Sequence, residues 1–242
     1  MTKKPNKTID ECLTKIRNVS SSPCYMPDVD TNYSNLRVST DPVQERDVRR
    51  WRKSERVRLT KIRKAQDRHV RRSSDRNIIS DLKKVMGDVK GLVIVGYWPI
   101  PGEPNIRPLF EYIEAHGGKL ALPVVIEKKQ PLIFRSWTKG DPLVRGVWNI
   151  PVPSEHKKQV LPDIVITPLV GFDSQCHRLG NGGGYYDRTF EKILLKPKII
   201  GVGYSFCELP TIYPQWHDIA MDIIITEKGC YYSADATNNQ SV

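Results

Sequence analysis

With 242 residues, the chain is long enough for one large α/β domain with its own hydrophobic core, so stability requires neither disulfides nor a structural metal. Its hydrophobic content of 39% and charged content of 27% are typical of soluble proteins, and no run approaches the roughly 18 apolar residues of a membrane-spanning helix. The five cysteines are an odd number without C-x-x-C spacing, which argues against a disulfide framework or a thiolate zinc site. Because no apolar run follows the first lysines, a signal peptide is not expected, and we predict a cytoplasmic protein.

The net charge of +11 is concentrated in one segment rather than spread over the chain. Residues 45–76 hold 14 Lys and Arg against 5 Asp and Glu, which leaves 24 of the 38 basic and 22 of the 27 acidic residues for the rest. Three interpretations remain open: a solvated helix face, a binding site for a polyanionic small molecule such as ATP or a polyglutamyl tail, and a nucleic-acid surface.

The sequence changes character near residue 41. Residues 1–44 are polar, with few side chains able to pack, and are predicted to be an extended or partly disordered leader. Asp41-Pro42 then places a cap residue before a proline, which is typical of a helix start. Apolar residues at helical spacings predict a long amphipathic helix with a basic outer face: Val48, Trp51, Leu59, Ile62 and Ala65. We expect the folded domain to cover residues 45–232 and a disordered tail to cover residues 233–242.

An alternation of helices and strands follows this first helix. A second helix, with Ile78, Ile79, Leu82 and Val85 on one side, is predicted to end at Gly91. Short apolar runs typical of buried strands occupy residues 92–95, 120–126, 131–137, 164–166, 199–203 and 222–225. Further helices are predicted around residues 106–113 and 186–195, and residues 151–162 read as a proline-rich connection. This order favours a single α/β domain with a mixed, mostly parallel sheet flanked by helices on both faces.

The most informative stretch is the glycine-rich segment R-L-G-N-G-G-G-Y-Y-D-R, residues 178–188. It lies between a predicted parallel strand and a helix, at the sheet edge where α/β proteins bind ligands. Four glycines in five positions are costly to order, by about 0.5–1 kcal/mol each, which is acceptable where main-chain N–H groups must approach a ligand. Such a loop before a helix is suited to phosphate, and Arg178 and Arg188 flank it with positive charge.

Standard phosphate-binding motifs do not match this loop. No G-K-[ST] follows the glycines, and Tyr185 stands where the dinucleotide fingerprint requires its third glycine. On these residues alone, a tight packing turn remains an alternative to an anion site.

A longer pattern around the loop resembles a known family. P-L-V-G-F-D at residues 168–173, followed by R-L-G-N-G-G-G-Y-Y-D-R, is similar to the signature of the 5-formyltetrahydrofolate cyclo-ligases, also called methenyltetrahydrofolate synthetases. The likeness extends from about Val48 to Gly229 and includes Tyr97-Trp98-Pro99, Glu103 and His217-Asp218. It implies ATP- and Mg²⁺-dependent cyclisation of 5-formyltetrahydrofolate to 5,10-methenyltetrahydrofolate, with release of ADP and phosphate through a phosphorylated formyl intermediate.

The resemblance also implies roles for individual residues. Arg178, Tyr185 and Asp187 are expected to be catalytic, and Asp187 and Asp218 to hold Mg²⁺. The expected folate-binding residues are Trp98, Glu103, Asn181, Gly182, Gly183, Gly184 and Tyr185. The expected ATP-binding residues are Arg52, Arg56, Arg178, Leu179, Gly180, Asn181, Gly182, Gly183, Gly184, Tyr185 and Tyr186. For the basic pair on the first helix, Arg58 with Arg63 is an alternative register.

Two other interpretations of the whole protein stay open on the sequence. The 45–76 segment would suit a nucleic-acid-binding protein, although no basic surface with interleaved aromatic residues, as in single-strand binders, accompanies the helix. A paralogue with the same fold acting on another metabolite is the second. We expect a monomer that binds a reduced folate and ATP, without a nucleic-acid or membrane partner.

Overall fold

A seven-stranded sheet forms the centre of the structure, a computed structural model that describes residues 41–233. Its strands are β1 Val93–Val95, β2 Lys119–Val124, β3 Ile133–Ser136, β6 Ile164–Pro168, β9 Lys198–Val202, β10 Ile223–Thr226 and β11 Gly229–Tyr232. Their order across the sheet is β11-β10-β9-β6-β1-β2-β3. Two small antiparallel pairs stand apart from it: β4 Leu143–Arg145 with β5 Pro151–Pro153, and β7 Gly171–Phe172 with β8 Arg178–Leu179.

The five inner strands, from β10 to β2, run parallel, while β3 and β11 are antiparallel to their neighbours at the two edges. Strands β6 and β10 are buried along almost their whole length, as expected for parallel strands covered by helices. Side chains such as Ile94, Val165 and Ile224 are fully buried in the common core. The predicted mixed, mostly parallel α/β domain is confirmed.

Within residues 41–233, four α-helices flank the sheet: α1 Pro42–Ala65, α2 Arg68–Met86, α3 Arg107–Ala115 and α4 Tyr185–Lys192. The Asp41 side chain accepts a hydrogen bond from Val43 N, and Asp67 does the same for His69 N and Val70 N, so both long helices begin at an aspartate cap. Among residues 41–233, no helix is long and apolar enough to cross a membrane.

Several sequence predictions need correction. Helix α2 ends at Met86 with Gly87 as its cap, not at Gly91, because the left-handed φ of +66° at Gly87 already breaks the helix. The 151–162 connection contains a strand, β5, and the short edge strand β11 was not predicted. The predictions for residues 1–40 and 234–242 lie outside the described residues.

The strand order creates one position suited to ligand binding. From β1 the chain continues to β2 on one side, whereas β6 lies on the other side of β1, so the connections diverge between β1 and β6. In open α/β sheets, the crevice at the carboxyl ends of two such strands is the usual binding site. The loop after β1 carries Trp98 and Glu103, and the chain after β6 leads to the glycine-rich loop.

Candidate active site

The two loops meet across the crevice. Asn181 Nδ2 lies 3.4 Å from Glu103 Oε1, although the two residues are 78 positions apart in the chain. A cavity of about 690 Å³ opens here, a volume within the usual range for small-molecule sites. Its lining includes the carboxyl edge of the sheet, the inner side of α1 and the 146–152 segment between β4 and β5.

The glycine-rich loop lies at the cavity surface with its main chain available. Asn181, Gly182 and Gly183 are exposed, and no hydrogen bond found within residues 41–233 uses the main-chain N–H groups of residues 181–184. Gly182 has φ of +95°, and Gly184, with φ of +62°, caps the amino end of α4. These conformations favour glycine because they are strained for residues with a Cβ. Free donors beside a helix N-terminus form an anion-binding arrangement.

Arg56 faces this loop from α1. Its Nε donates to the Gly180 carbonyl at 2.7 Å, and no ion pair of Arg56 with a carboxylate occurs among residues 41–233. Burial lowers its pKa, as do Arg52 and Arg178, while Asp218 and Asp187 oppose this effect. A half-buried guanidinium in this position can bind an anionic ligand through its charge and its N–H donors.

Arg52, one turn earlier on α1, is held by the protein itself. Its Nε donates to the Ile212 carbonyl at 2.9 Å, and its Nη2 donates to the Tyr213 carbonyl at 2.7 Å. The same guanidinium pairs with Asp218, with Nη1 3.2 Å from Oδ1 and Nη2 2.5 Å from Oδ2. Arg52 therefore fixes the 212–218 loop at the cavity wall. By contrast, no hydrogen bond of the Arg56 Nη atoms is found within residues 41–233.

A second arginine–carboxylate pair lies under the glycine-rich loop. Arg178 Nη2 donates to Asp187 Oδ2 at 3.0 Å, and both side chains are largely buried. The guanidinium carbon of Arg178 also lies 5.2 Å from the Tyr186 ring centroid, a cation–π distance. Arg178 Nε is buried without a hydrogen-bond partner in the described part of the chain, so this side chain has an unused donor.

Glu103 is the carboxylate of the opposite wall. Its side chain accepts a hydrogen bond from Ile100 N at 3.1 Å in addition to the contact with Asn181. Burial raises its pKa, and the Ile100 hydrogen bond, Arg63 and Asn181 oppose that rise. A buried carboxylate with spare acceptor capacity is suited to a ligand that presents N–H donors.

Aromatic side chains surround Glu103 and the glycine-rich loop. Trp98 lies edge-to-face with Trp137, their centroids 6.1 Å apart, and Tyr185 meets Trp148 in the same way at 5.6 Å. Trp98, Tyr185 and Trp148 all line the cavity, and Trp148 is 66% exposed. This wall offers apolar faces for a flat heterocycle.

Comparison with known proteins agrees with this arrangement. A sequence model described as the 5-formyltetrahydrofolate cyclo-ligase family matches residues 48–227. The chain belongs to this family. The match spans nearly the whole described region, including both loops of the crevice, and confirms the resemblance found in the sequence.

Individual cyclo-ligases show the same relationship. The 5-formyltetrahydrofolate cyclo-ligase of Escherichia coli strain K12 is 35% identical over 133 residues, which cover 52% of this chain and 72% of that protein. The Haemophilus influenzae cyclo-ligase is 30% identical over 136 residues, covering 53% of this chain and 73% of that protein. The structure of Aquifex aeolicus 5,10-methenyltetrahydrofolate synthetase has a TM-score of 0.66 and 29% identity, covering 76% of this chain and 93% of its own.

The structure brings nearly all of the predicted site residues to one cavity. Leu179 alone of them is absent from the lining, because it is buried in β8 beneath the loop. The alternative basic pair does not line the cavity either, since Arg58 pairs with Glu55 and Arg63 is buried in the core. The sequence analysis did not identify Trp148 as a site residue. Its one hint in the sequence is an aromatic side chain between Gly146 and Pro151, next to the predicted connection at residues 151–162.

The carboxylates differ in their fitness for a metal ion. Asp187 uses Oδ2 for Arg178, and no hydrogen bond to its Oδ1 is found within residues 41–233. Asp218 accepts three hydrogen bonds, two from Arg52 and one from Gln215 N, and retains acceptor capacity chiefly at Oδ1. No group of three or more metal-ligating side chains occurs in the described region. Mg²⁺ commonly binds through one or two carboxylates plus phosphates and water, so the pair fits such an ion with Asp187 as the more open ligand.

Cys176 and His177, adjacent in sequence, do not form a thiol nucleophile. Cys176 is fully buried, and burial together with Asp173 raises the pKa of its thiol to about 11. A thiol that stays protonated at neutral pH is a poor nucleophile.

A separate depression of about 870 Å³ near the amino ends of β1 and β2 contains none of the predicted site residues.

Proposed function

We propose that this protein catalyses the ATP- and Mg²⁺-dependent cyclisation of 5-formyltetrahydrofolate to 5,10-methenyltetrahydrofolate, with release of ADP and phosphate. The observation that carries the proposal is the meeting of two unlike walls in one crevice. A cationic, glycine-rich wall faces a wall with a buried carboxylate and aromatic rings, and Asn181 bridges them. Membership of the cyclo-ligase family supports the same reaction.

The glycine-rich side would bind the triphosphate of ATP. The free N–H groups of residues 181–184 and the amino end of α4 supply donors, and Arg56 supplies a charge that forms no ion pair with a carboxylate among residues 41–233. Arg178 lies behind the loop and positions Asp187 through its ion pair. Phosphoryl transfer depends mainly on such positioning and charge stabilisation.

Asp187, with Asp218 as the second carboxylate, would hold Mg²⁺ at the same wall. When bound, this ion would neutralise charge on the phosphate oxygens of the nucleotide. The role of Arg52 is then to fix the 212–218 loop that carries Asp218, rather than to bind ATP directly.

The other wall would bind the folate. Glu103 would accept hydrogen bonds from the N–H groups of the pterin ring, while Trp98 and Tyr185 would pack against its faces. This arrangement would place the 5-formyl group near the glycine-rich loop, where the two walls meet.

The chemistry that these walls must support is a substitution at the formyl carbon. The formyl oxygen attacks the γ-phosphorus of ATP and displaces ADP, which makes that oxygen part of a leaving group. N10 then attacks the formyl carbon and loses its proton, and the carbon–oxygen bond breaks to release phosphate. Because N10 belongs to the same molecule, correct positioning supplies a large part of the rate. The protein contributes that positioning and the donors that stabilise the transferring phosphoryl group.

Purified protein mixed with 5-formyltetrahydrofolate, ATP and Mg²⁺ tests the proposal. Formation of the methenyl product gives a new near-ultraviolet absorbance, which we expect only when all three components are present. A second assay uses substrate labelled with ¹⁸O in the formyl group, and the label is expected in the released phosphate. Folded protein that forms no product, or phosphate without the label, would count against the proposal. A monomeric state, a cytoplasmic location and the lack of a nucleic-acid partner remain predictions.

A further inference from the structure

Arg63 is a buried arginine that the proposed reaction does not use. It lies on α1, is 1% exposed and ranks among the largest fully buried side chains. Its Nη1 donates to the Leu169 carbonyl at 2.8 Å, while its Nε is buried without a partner among residues 41–233. No ion pair of Arg63 with a carboxylate occurs in that region either. A guanidinium in this state is costly to bury, so its position requires an explanation.

The position of Arg63 is directly behind the Glu103 loop. Gly102, with φ of +93°, lies against α1, where a Cβ on it would be 3.3 Å from Lys64 Cγ and 3.4 Å from Arg63 Cβ. On another side, the carbonyl that Arg63 binds belongs to Leu169, the residue after Pro168 in the cavity lining. Arg63 therefore supports the chain after both β1 and β6, the two strands that form the crevice.

Arg63 also acts electrostatically on Glu103. Burial raises the pKa of Glu103, and among residues 41–233 Arg63 is the one charged group found to lower it. Two tyrosine hydroxyls, those of Tyr97 and Tyr186, also interact with this carboxylate, and burial raises their pKa values. Lys64, on the same helix as Arg63, packs against Gly102 of the Glu103 loop. Both tyrosines therefore remain neutral near pH 7, and the compensating charge comes from Arg63.

The contrast with the other two site carboxylates shows what this arrangement achieves. Asp187 and Asp218 receive their arginines directly on their oxygens, at 3.0 and 2.5 Å. Glu103 has no arginine on its oxygens, so these keep acceptor capacity for a ligand while the charge of Arg63 acts from behind. A direct ion pair would occupy the atoms that recognition requires.

We propose that Arg63 is a positioning residue for the folate, holding a buried positive charge behind the Glu103 loop while the Glu103 oxygens stay free of any arginine and open to the N–H donors of the pterin ring. This inference rests on the proposed function, because it assigns Glu103 to the folate side of the site. It concerns recognition of one substrate and predicts little effect on ATP.

Two substitutions at Arg63 separate charge from hydrogen bonding. Arg63→Lys keeps a positive charge and a donor, whereas Arg63→Gln keeps a donor for the Leu169 carbonyl but removes the charge. Lys61→Gln, on the exposed side of the same helix, is the matched control for loss of one positive charge. For each variant, KM for 5-formyltetrahydrofolate and KM for ATP are measured from pH 5.5 to 8, with thermal unfolding to confirm folding.

The expected result follows from the sign of the charge effect. Without Arg63, the pKa of Glu103 rises further, so the carboxylate loses its charge at a higher pH. For Arg63→Gln we expect KM for the folate to increase about tenfold at the acidic end of the pH range and less at the basic end, with KM for ATP changed less than about threefold. Arg63→Lys and Lys61→Gln should retain the wild-type pH profile.

Other outcomes distinguish the two proposals. If wild-type protein forms no methenyl product, the proposed function fails. If it does, and Arg63→Gln changes both KM values equally at every pH, Arg63 is only a structural residue and the inference is wrong. Should Arg63→Gln not fold, Arg63→Gln/Glu103→Gln is examined: recovered folding supports the charge coupling, and continued failure to fold overturns it.

Discussion

Arg52 and Asp218 form a two-point ion pair across 166 residues of sequence, with Nη1–Oδ1 at 3.2 Å and Nη2–Oδ2 at 2.5 Å. Both side chains are about nine-tenths buried. Because Arg52 also binds the carbonyls of Ile212 and Tyr213, this pair joins the first helix to the loop that closes one side of the cavity. The stability of the domain and the shape of the site therefore depend on the same contact.

Arg52→Ala should destabilise the domain by about 3–5 kcal/mol, since it leaves the Asp218 carboxylate buried without its partner. Arg50→Ala, which removes an exposed pair with Asp47 on the same helix, should change the free energy of unfolding by less than about 1 kcal/mol. Urea unfolding of both variants measures the difference. Equal effects would show that Arg52 does not anchor the 212–218 loop.

The pH dependence of stability tests the same pair. Burial favours the neutral form of Asp218, but the hydrogen bond and charge of Arg52 outweigh it and hold the pKa below its ordinary value of 3.8. A lowered pKa stabilises the folded state above that value, and the contribution is lost as the pH falls through the folded-state pKa. Asp218→Asn should therefore be less stable than wild type at pH 7, with a gap that narrows below about pH 4. A gap that stays constant from pH 7 to 3 in urea unfolding would contradict this.

Asp187→Asn should reduce turnover by at least about a hundredfold, because it removes the open carboxylate proposed for Mg²⁺. The variant should still fold, with a lower unfolding temperature because the buried Arg178 loses its charged partner. Asp141→Asn removes a carboxylate that pairs with Lys157 outside the cavity and serves as the control. Turnover is measured over a range of Mg²⁺ concentrations. An Asp187→Asn enzyme with wild-type Mg²⁺ dependence would exclude Asp187 from the metal site.

Two glycines with nearly the same φ allow the effect of backbone strain to be separated from a role in ligand binding. Gly182 has φ of +95° in the glycine-rich loop, and Gly140 has φ of +98° in a turn outside the cavity. Alanine at either position should destabilise the fold by about 1–3 kcal/mol through backbone strain. Only Gly182→Ala should also raise KM for ATP, by displacing the main-chain N–H groups. Unchanged KM for ATP in Gly182→Ala would indicate a packing turn.

The sequence predicted the helices and buried strands well because their signals are local. Hydrophobic runs predict buried strands, and aspartate caps predict helix starts, from neighbouring residues alone. The sequence therefore predicts the mixed sheet without knowledge of which strands pair. Edge strand β11 was not predicted because Gly229–Tyr232 is short and only partly buried, so its sequence shows no strong alternation of apolar and polar residues.

The buried charges of helix α1 could not be predicted in the same way. Its buried residues are Val48, Arg52, Glu55, Leu59 and Arg63, spaced by three or four positions. Hydrophobicity alone assigns the charged members of this stripe to solvent, and the partners of Arg52 and Arg63 lie more than a hundred residues away. Likewise, the contact between Asn181 and Glu103 depends on strand order, which local patterns do not determine. The family resemblance identified Arg52, Glu103 and Asn181 as site residues, which physical patterning alone did not.

The most direct test of the central claim is a structure of the protein with Mg²⁺, a non-hydrolysable ATP analogue and 5-formyltetrahydrofolate. We predict the triphosphate within hydrogen-bond distance of Arg56 and the main-chain N–H groups of residues 181–184, and the pterin ring against Glu103. A nucleotide bound elsewhere, with the glycine-rich loop making no contact to phosphate, would contradict the account.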